Sequence, residues 1–163
     1  HIPKDGHILD LGCGSGRDSL EFIKRGYNIT AVDGSKELSI AASKVIGQEV
    51  ICNKFEDLQL TEKFHGIWAC ASLIHINKRD LINVIKNISS NLEDNGVFYM
   101  SFKYGEDEYI DEKGRYFNCY TEETFKEMIL AVSKLEIIKI YKSEDTIGGR
   151  NNLQWLNVLL KIN

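Results

Sequence analysis

The apolar residues of this chain fall into two alternating patterns. Short, nearly unbroken apolar runs are bounded by polar or turn residues and lie at 7–11, 28–33, 49–53, 64–71 and 97–102. Runs of this length are typical of buried strands. Between them, segments 18–25, 36–46 and 77–91 carry apolar residues at helical spacing. This alternation of strands and helices predicts a parallel sheet with helices on both faces.

The last third of the chain departs from that rhythm. Segment 103–119 carries many acidic and aromatic residues and predicts a long loop, 121–132 predicts a helix, and 135–141 and 152–160 predict two strands. Because no helix separates these two strands, they are expected to pair in antiparallel fashion. We therefore predict an α/β fold with a doubly wound, Rossmann-like seven-stranded sheet that is mostly parallel and has an antiparallel last strand.

Composition narrows the functional classes. The 163 residues carry a net charge of -4, which disfavours binding to nucleic acid through its phosphates without excluding it. No apolar run could span a bilayer, so no membrane association is expected. The four cysteines lack C-x-x-C or zinc-like spacing, which predicts a reduced, cytoplasmic protein without a metal site.

Three alternate glycines follow the first predicted strand. The pattern is Asp10-x-Gly12-x-Gly14-x-Gly16, and the first helix begins directly after it. A strand, a glycine loop and a helix N-terminus form a cradle for a ligand because the backbone can be approached closely there. A dinucleotide fingerprint would need its third glycine at Arg17, so the spacing disfavours a nicotinamide-dependent oxidoreductase. A plain strand-to-helix turn is the alternative.

The pattern from Asp10 to Gly16 resembles motif I of the class I S-adenosylmethionine-dependent methyltransferases. The order of elements resembles that fold along essentially the whole chain, and it is similar to small bacterial domains of the tellurite-resistance-like kind. The resemblance implies S-adenosylmethionine as cofactor and S-adenosylhomocysteine as product. It also implies a single methyltransferase domain over 1–163, lacking the helix that such domains usually carry ahead of motif I.

By the same resemblance, a set of residues at the ends of the strands is expected to contact the cofactor. These residues are Asp10, Gly12, Cys13, Gly14, Arg17, Asp18, Asp33, Gly34, Ser35, Lys54, Phe55, Ala69, Cys70 and Ala71. Asp33 is also indicated independently, because an acid ending the second strand of a doubly wound fold binds ribose hydroxyls.

Each of these assignments has a structural alternative. Asp33 could serve only the turn before the second helix, Phe55 could be a core residue, and Arg17 could be a solvated helix residue. Lys54 stands where the family often has an acid, and a solvated lysine is the alternative there.

The acceptor side is less well marked. His75 follows the fourth strand and is the candidate general base, since histidine is the side chain that most often removes protons near neutrality, although such a histidine is often structural. Tyr104, Tyr116 and Arg150 are candidates for binding the substrate, with Tyr120 and Trp155 as weaker ones. The 103–119 loop is expected to form a lid, and a solvated acidic loop is the alternative.

The end of the fourth strand limits the acceptor. It reads Ala69-Cys70-Ala71-Ser72 and contains no proline, whereas amino-methyltransferases of adenine and cytosine carry N/D-P-P-Y/F there and RNA cytosine-C5 enzymes carry a proline and a catalytic cysteine. A small-molecule acceptor is therefore favoured. Two alternatives are an RNA or protein methyltransferase whose acceptor-binding domain lies outside this sequence, and a catalytically inactive module that binds S-adenosylmethionine.

Overall fold

The computed structural model describes residues 1–145 and 153–162. The strands in chain order are β1 (His7–Leu11), β2 (Asn28–Asp33), β3 (Ile51–Cys52), β4 (Phe64–Ala69), β5 (Leu92–Tyr104), β6 (Tyr109–Ile110), β7 (Tyr116–Phe117), β8 (Cys119–Tyr120), β9 (Leu135–Glu144) and β10 (Gln154–Ile162). The helices are α1 (Arg17–Lys24), α2 (Lys36–Ile46), α3 (Lys78–Ser89) and α4 (Glu122–Ile129). Short 3₁₀ turns lie at Phe55–Asp57 and Leu73–His75.

The main path of the sheet runs β3-β2-β1-β4-β5-β10-β9. Strands β1 to β5 pair in parallel, and β10 runs antiparallel to both of its neighbours, β5 and β9. The prediction of a mostly parallel seven-stranded sheet with an antiparallel last strand is confirmed. The strand order reverses between β1 and β4, and in sheets of this kind ligands bind in the crevice at that reversal.

Helices cover both faces of the sheet. On one face α3 and α4 bury apolar residues such as Leu81, Ile85 and Phe125 against the strands. On the other face α1 and α2 pack against β1 and β2 through a second cluster that includes Ala42 and Ile46. Helices on both faces bury all the apolar side chains of β1, because successive side chains of a strand point to opposite faces of the sheet.

The ends of several elements follow local signals. Ser35 accepts a hydrogen bond from the Leu38 N–H at the start of α2, and Gly47 ends that helix with a φ of 72°. Helix α2 therefore has its predicted bounds. Strand β5 begins five residues before the prediction, because the Asn95–Gly96 turn is accommodated as an irregularity in its pairing with β4.

The predicted 103–119 loop contains short strands. Strands β6 and β7 form a hairpin, and β8 pairs in parallel with the end of β5. The turn between β6 and β7 is shaped by Asp111, whose carboxylate accepts hydrogen bonds from the N–H groups of Lys113 and Arg115. An aspartate in that role is a turn signal that favours a hairpin. Within residues 1–145 and 153–162, no helix has the length and apolar character needed to cross a membrane.

Candidate active site

The loop after β1 is tied to the neighbouring strand. The N–H groups of Gly12 and Cys13 both donate to the Val32 carbonyl, at 2.8 and 3.0 Å. Gly12 has a φ of 82°, and a Cβ at this position would clash with the Cβ of Ser72. Only glycine therefore suits this position.

The glycine loop is open at Gly14. Its φ is 55°, and a Cβ built on it would meet nothing within 4 Å. Its N–H donates to Asp33 Oδ2 at 2.8 Å, while the Ser35 N–H donates to Asp33 Oδ1 at 2.9 Å. Each oxygen of this carboxylate keeps a second lone pair for another donor. The end of β2 therefore presents a fixed carboxylate beside an open stretch of backbone.

Other loop residues serve packing and capping. A Cβ on Gly16 would lie 3.1 Å from Ile46 and 3.2 Å from Ala42, so this glycine lets α1 approach α2 closely. Gly34 has more room, with its nearest neighbour at 3.8 Å. Ser35 uses its hydroxyl to cap α2 and to contact Glu37.

Asp10 is an acid in an unfavourable place. Its side chain is only 2% exposed, and its Oδ2 accepts a hydrogen bond from the Ser19 hydroxyl at 2.5 Å. Burial raises the pKa of Asp10 to about 6, and the nearby carboxylates of Asp18 and Asp33 add to this rise while the Ser19 bond opposes it. A carboxylate in this position destabilises the fold at neutral pH.

Asp18 joins the loop to β4. Its Oδ1 accepts from Arg17 Nε at 2.8 Å, and its Oδ2 accepts from Trp68 Nε1 at 2.9 Å. The Trp68 ring in turn stacks on Tyr99, with centroids 4.1 Å apart. The Arg17 side chain is 80% exposed, so most of its guanidinium faces the solvent side of the site.

The residues after β3 divide into two kinds. Phe55 packs partly against the main core, and its Cζ lies 3.2 Å from the position of a Cβ on Gly12. The ring therefore both packs and covers the glycine loop. Lys54 is exposed at the start of the 3₁₀ turn.

The segment after β4 is strained and polar. Ala71 has a φ of 51°, which is uncommon for an L-residue, and its N–H donates to Ser101 Oγ at 2.8 Å. The Ser72 hydroxyl oxygen is buried and has no hydrogen-bond partner within the described residues. Ala69 is fully buried, and Cys70 is half-buried. Strain and an unpartnered polar atom beside a glycine loop are typical of a functional site.

Two cavities meet at this segment. A cavity of about 250 Å³ lies under the glycine loop and is lined by residues from Asp10 to Asp18 together with Cys70 and Ala71. A cavity of about 650 Å³ lies over the ends of β5, β10 and β9 and the β6–β7 hairpin. Both cavities are lined by Arg17, Cys70 and Ala71. A molecule in one cavity can therefore face a molecule in the other at this junction.

His75 lines the larger cavity from the 3₁₀ turn after β4. Its Nδ1 lies 2.8 Å from the carbonyl oxygen of Tyr116, and its ring meets the Phe117 ring at a centroid distance of 4.7 Å. Because a carbonyl oxygen only accepts, Nδ1 carries the proton. In the neutral ring Nε2 therefore holds a free lone pair, as a general base requires.

The tyrosines predicted for the substrate side do not reach the larger cavity. The Tyr104 hydroxyl donates to Glu122 Oε2 at 2.9 Å, and the Tyr116 hydroxyl contacts the Glu108 carboxylate. Tyr116 contributes instead through the carbonyl that holds His75. Tyr120 is buried against Phe102 and Phe125 in the core. Arg150 lies outside the described residues.

The sequence predicted only part of the floor of the larger cavity. It includes Tyr99 and Ser101 from β5 and Trp155 and Asn157 from β10. Asn157 accepts from the Tyr99 hydroxyl at 2.7 Å and donates to Ser143 Oγ at 2.9 Å. The available signal was a polar residue between two apolar neighbours, Ser101 in one predicted strand and Asn157 in another, since such a residue points to the sheet face opposite to that of its neighbours. Among the described residues, no group of three or more His, Cys, Asp or Glu side chains has a metal-binding arrangement.

The sequence of this chain is similar to those of known methyltransferases. Residues 8–96 match the family model described as a methyltransferase domain. A Bacillus subtilis protein named as the methyltransferase YqeM is 32% identical over 116 residues, which cover 64% of this chain. That match spans 47% of the Bacillus protein, so this chain corresponds to about half of its length.

Two solved structures show the same fold. A S-adenosylmethionine-dependent methyltransferase from Methanosarcina mazei superposes with a TM-score of 0.85 over 99% of this chain and 94% of its own, at 18% identity. The Burkholderia thailandensis 1,6-didemethyltoxoflavin-N1-methyltransferase, solved with its substrate and S-adenosylhomocysteine, has a TM-score of 0.79 at 20% identity. That match covers 98% of this chain and 72% of the Burkholderia chain.

Proposed function

The chain belongs to the methyltransferase-domain family of class I S-adenosylmethionine-dependent enzymes, and from that premise we propose that it methylates a small molecule. The observation that carries the proposal is the junction of two cavities at Arg17, Cys70 and Ala71. The smaller cavity lies at the glycine loop, where this family binds its cofactor. The larger one has the volume typical of a pocket for a small ligand.

Four features of this chain fit S-adenosylmethionine. The loop is open above Gly14, the Asp33 carboxylate keeps free lone pairs, the Phe55 ring covers the loop, and the Ser72 hydroxyl is buried without a partner among the described residues. When bound, S-adenosylmethionine supplies a methyl group on a sulfonium ion that is already activated for displacement. Catalysis can therefore come largely from positioning.

The polar residues in the smaller cavity and beside the glycine loop have complementary roles in this proposal. Asp33 accepts hydrogen bonds from the two ribose hydroxyls, and Gly12 and Gly14 allow the backbone to lie against the ligand. Asp10 and Asp18 give the cavity a negative end, which suits the ammonium of the methionine part. Arg17, at the mouth, suits its carboxylate.

On the acceptor side, His75 removes the proton that the acceptor atom loses when it gains the methyl group. The lone pair of Nε2 is available because Nδ1 donates to the Tyr116 carbonyl. Trp155 and Phe117 provide apolar walls, and Lys103 adds a positive charge near the Phe117 ring. The pocket combines aromatic walls with charged side chains such as Lys103, Arg115 and Glu144, which supports a small acceptor that carries both apolar and polar groups.

Further support comes from neighbours and from composition. The Burkholderia neighbour acts on 1,6-didemethyltoxoflavin, a small molecule. The net charge of -4 disfavours an RNA acceptor, which a protein binds largely through the phosphates. All four cysteines are free thiols, which supports a reducing, cytoplasmic location.

Calorimetric titration with S-adenosylhomocysteine tests the cofactor site first, with NADH as the negative control. We expect micromolar affinity for S-adenosylhomocysteine and no heat of binding with NADH. If S-adenosylhomocysteine does not bind, the assignment of the smaller cavity as the cofactor site is refuted.

The acceptor class is tested by transfer of a trideuterated methyl group. The protein is incubated with labelled S-adenosylmethionine and, separately, with a small-molecule extract, total RNA and a protein fraction. The Asp33→Ala variant, which is expected to bind the cofactor weakly, gives the background level of label. Label in the small-molecule fraction supports the proposal, whereas label confined to RNA or to protein supports the alternative acceptors and overturns it.

A further inference from the structure

The turn that carries His75 cannot hold its own position. The 3₁₀ turn Leu73–His75 is closed by one backbone hydrogen bond, from the Ile76 N–H to the Leu73 carbonyl at 3.1 Å. Leu73, Ile74 and Ile76 are buried, whereas His75 is exposed at the cavity. A single turn of this kind needs outside partners for its remaining carbonyl groups.

Asn118 supplies those partners from a distant part of the chain. Its backbone N–H donates to the Ile74 carbonyl at 2.8 Å, and its Nδ2 donates to the carbonyls of Leu73 and Ile76 at 3.2 and 2.6 Å. The carbonyl oxygens of Leu73 and Ile76 can only accept hydrogen bonds, so the amide nitrogen of Asn118, and not its amide oxygen, must face them. Asn118 is fully buried, and its Oδ1 has no partner within the described residues. The side chain therefore acts here purely as a double donor.

The same segment also fixes the imidazole ring. The Tyr116 carbonyl accepts from His75 Nδ1 at 2.8 Å, and the Phe117 ring packs edge-on against the imidazole at an angle of 62°. Residues 116 to 118 thus hold both the backbone and the ring of His75. If the backbone clamp is lost, the turn can move away from the Tyr116 carbonyl, and the ring loses the contact that sets its tautomer.

We propose that Asn118 is a positioning residue for proton transfer at His75. It keeps the turn beside the Tyr116 carbonyl, so that Nδ1 stays protonated and the Nε2 lone pair faces the larger cavity. Asn118 does not line that cavity and acts only through His75. The inference rests on the proposed role of His75 as general base.

The test is the tautomer of His75 in the free protein, read from long-range ¹H–¹⁵N spectra of the imidazole. The His75 signals are assigned with His75→Gln. In the parent protein we expect the Nδ1–H form. In Asn118→Asp, two donors become acceptors that face the Leu73 and Ile76 carbonyls, and the preference for Nδ1–H should fall about tenfold, as loss of one hydrogen bond implies.

Asn91→Asp is the matched control. Asn91 is also buried and also donates from Nδ2 to two backbone carbonyls, those of Leu60 and Glu62, both at 2.9 Å, but it lies near the start of β5. Both variants should lower the melting temperature, and only Asn118→Asp should change the His75 spectrum. Unchanged His75 signals in Asn118→Asp, or an equal change in Asn91→Asp, would overturn the proposal.

Two further experiments distinguish the ways in which the proposal could fail. If Asn118→Asp does not fold, Asn118→Ser keeps one hydroxyl donor, and the same spectrum should show a smaller change; no change there also overturns the proposal. Once an acceptor is known, the pH profile of methyl transfer is compared for parent, Asn118→Ser and His75→Gln. A parental rate in His75→Gln refutes the base role of His75, and a tautomer insensitive to Asn118 refutes the positioning role alone.

Discussion

Replacing Asp10 by asparagine is expected to stabilise the folded chain at neutral pH. Burial raises the pKa of this carboxyl group from 3.8 to about 6. Between these pH values the folded chain holds more protons than the unfolded chain, so the free energy of unfolding falls as the pH rises through this interval. The rise in pKa corresponds to about 3 kcal/mol of lost stability at pH 7. Asparagine carries no charge and avoids this loss.

The assay is urea unfolding of the parent and of Asp10→Asn at a series of pH values. The free energy of unfolding of the variant, relative to the parent, should increase by about 2 to 3 kcal/mol between pH 4 and pH 7.5. Asp57→Asn makes the same chemical change at an exposed residue and serves as the control. The stabilised variant should also bind S-adenosylhomocysteine roughly tenfold more weakly, because its cavity has lost one negative charge.

One result would refute this reasoning. If the difference in unfolding free energy between Asp10→Asn and the parent stays constant from pH 4 to pH 7.5, the carboxyl group does not titrate as burial requires. A variant that is more stable at neutral pH and keeps full affinity for S-adenosylhomocysteine would leave the electrostatic account intact and remove Asp10 from ligand binding.

Three other predictions concern the same site. Asp33→Ala should weaken S-adenosylhomocysteine binding more than tenfold by calorimetry, because two hydroxyl groups lose their acceptor; an unchanged affinity would remove Asp33 from the site. Gly12→Ala should lower the free energy of unfolding by about 1–3 kcal/mol through its clash with Ser72, whereas Gly14→Ala should lower it less, since its Cβ meets nothing within 4 Å and only the φ of 55° adds strain, and should mainly lower affinity; equal melting temperatures for the two variants would contradict this. His75→Gln should slow methyl transfer at neutral pH and leave S-adenosylhomocysteine affinity unchanged, and a parental turnover rate would return His75 to a structural role.

The elements that follow local signals were predictable from the sequence. Helix α2 lies between a serine cap and a glycine with positive φ, and both signals are contained within a few residues of its ends. The pairing of β8 with β5 was not predictable in the same way. It joins Lys103 to Cys119 and depends on how the intervening hairpin folds back. A two-residue strand leaves too little apolar pattern to reveal such a partner.

The same distinction holds within the candidate site. The glycine loop and Asp33 lie at the ends of consecutive strands, so their meeting follows from the strand order of a doubly wound sheet. Ser101 and Asn157 meet because β10 inserts beside β5, where these two residues are direct partners in the pairing. The turn of Tyr104 toward Glu122 depends on where α4 begins. Neither arrangement can be read from the periodicity of a single segment.

The position of β10 between β5 and β9 has a consequence for synthesis on the ribosome. The main path of the sheet is complete only when residues 155–161 pair with residues 97–103, more than fifty positions earlier in the chain. Until then the edge of β5 remains open to solvent, and Trp155 and Asn157 are missing from the larger cavity. A nascent chain can therefore assemble the glycine loop long before it assembles the larger cavity. During that interval β5 is paired on one side only, and its open edge is exposed to pairing with other chains until the chain is complete.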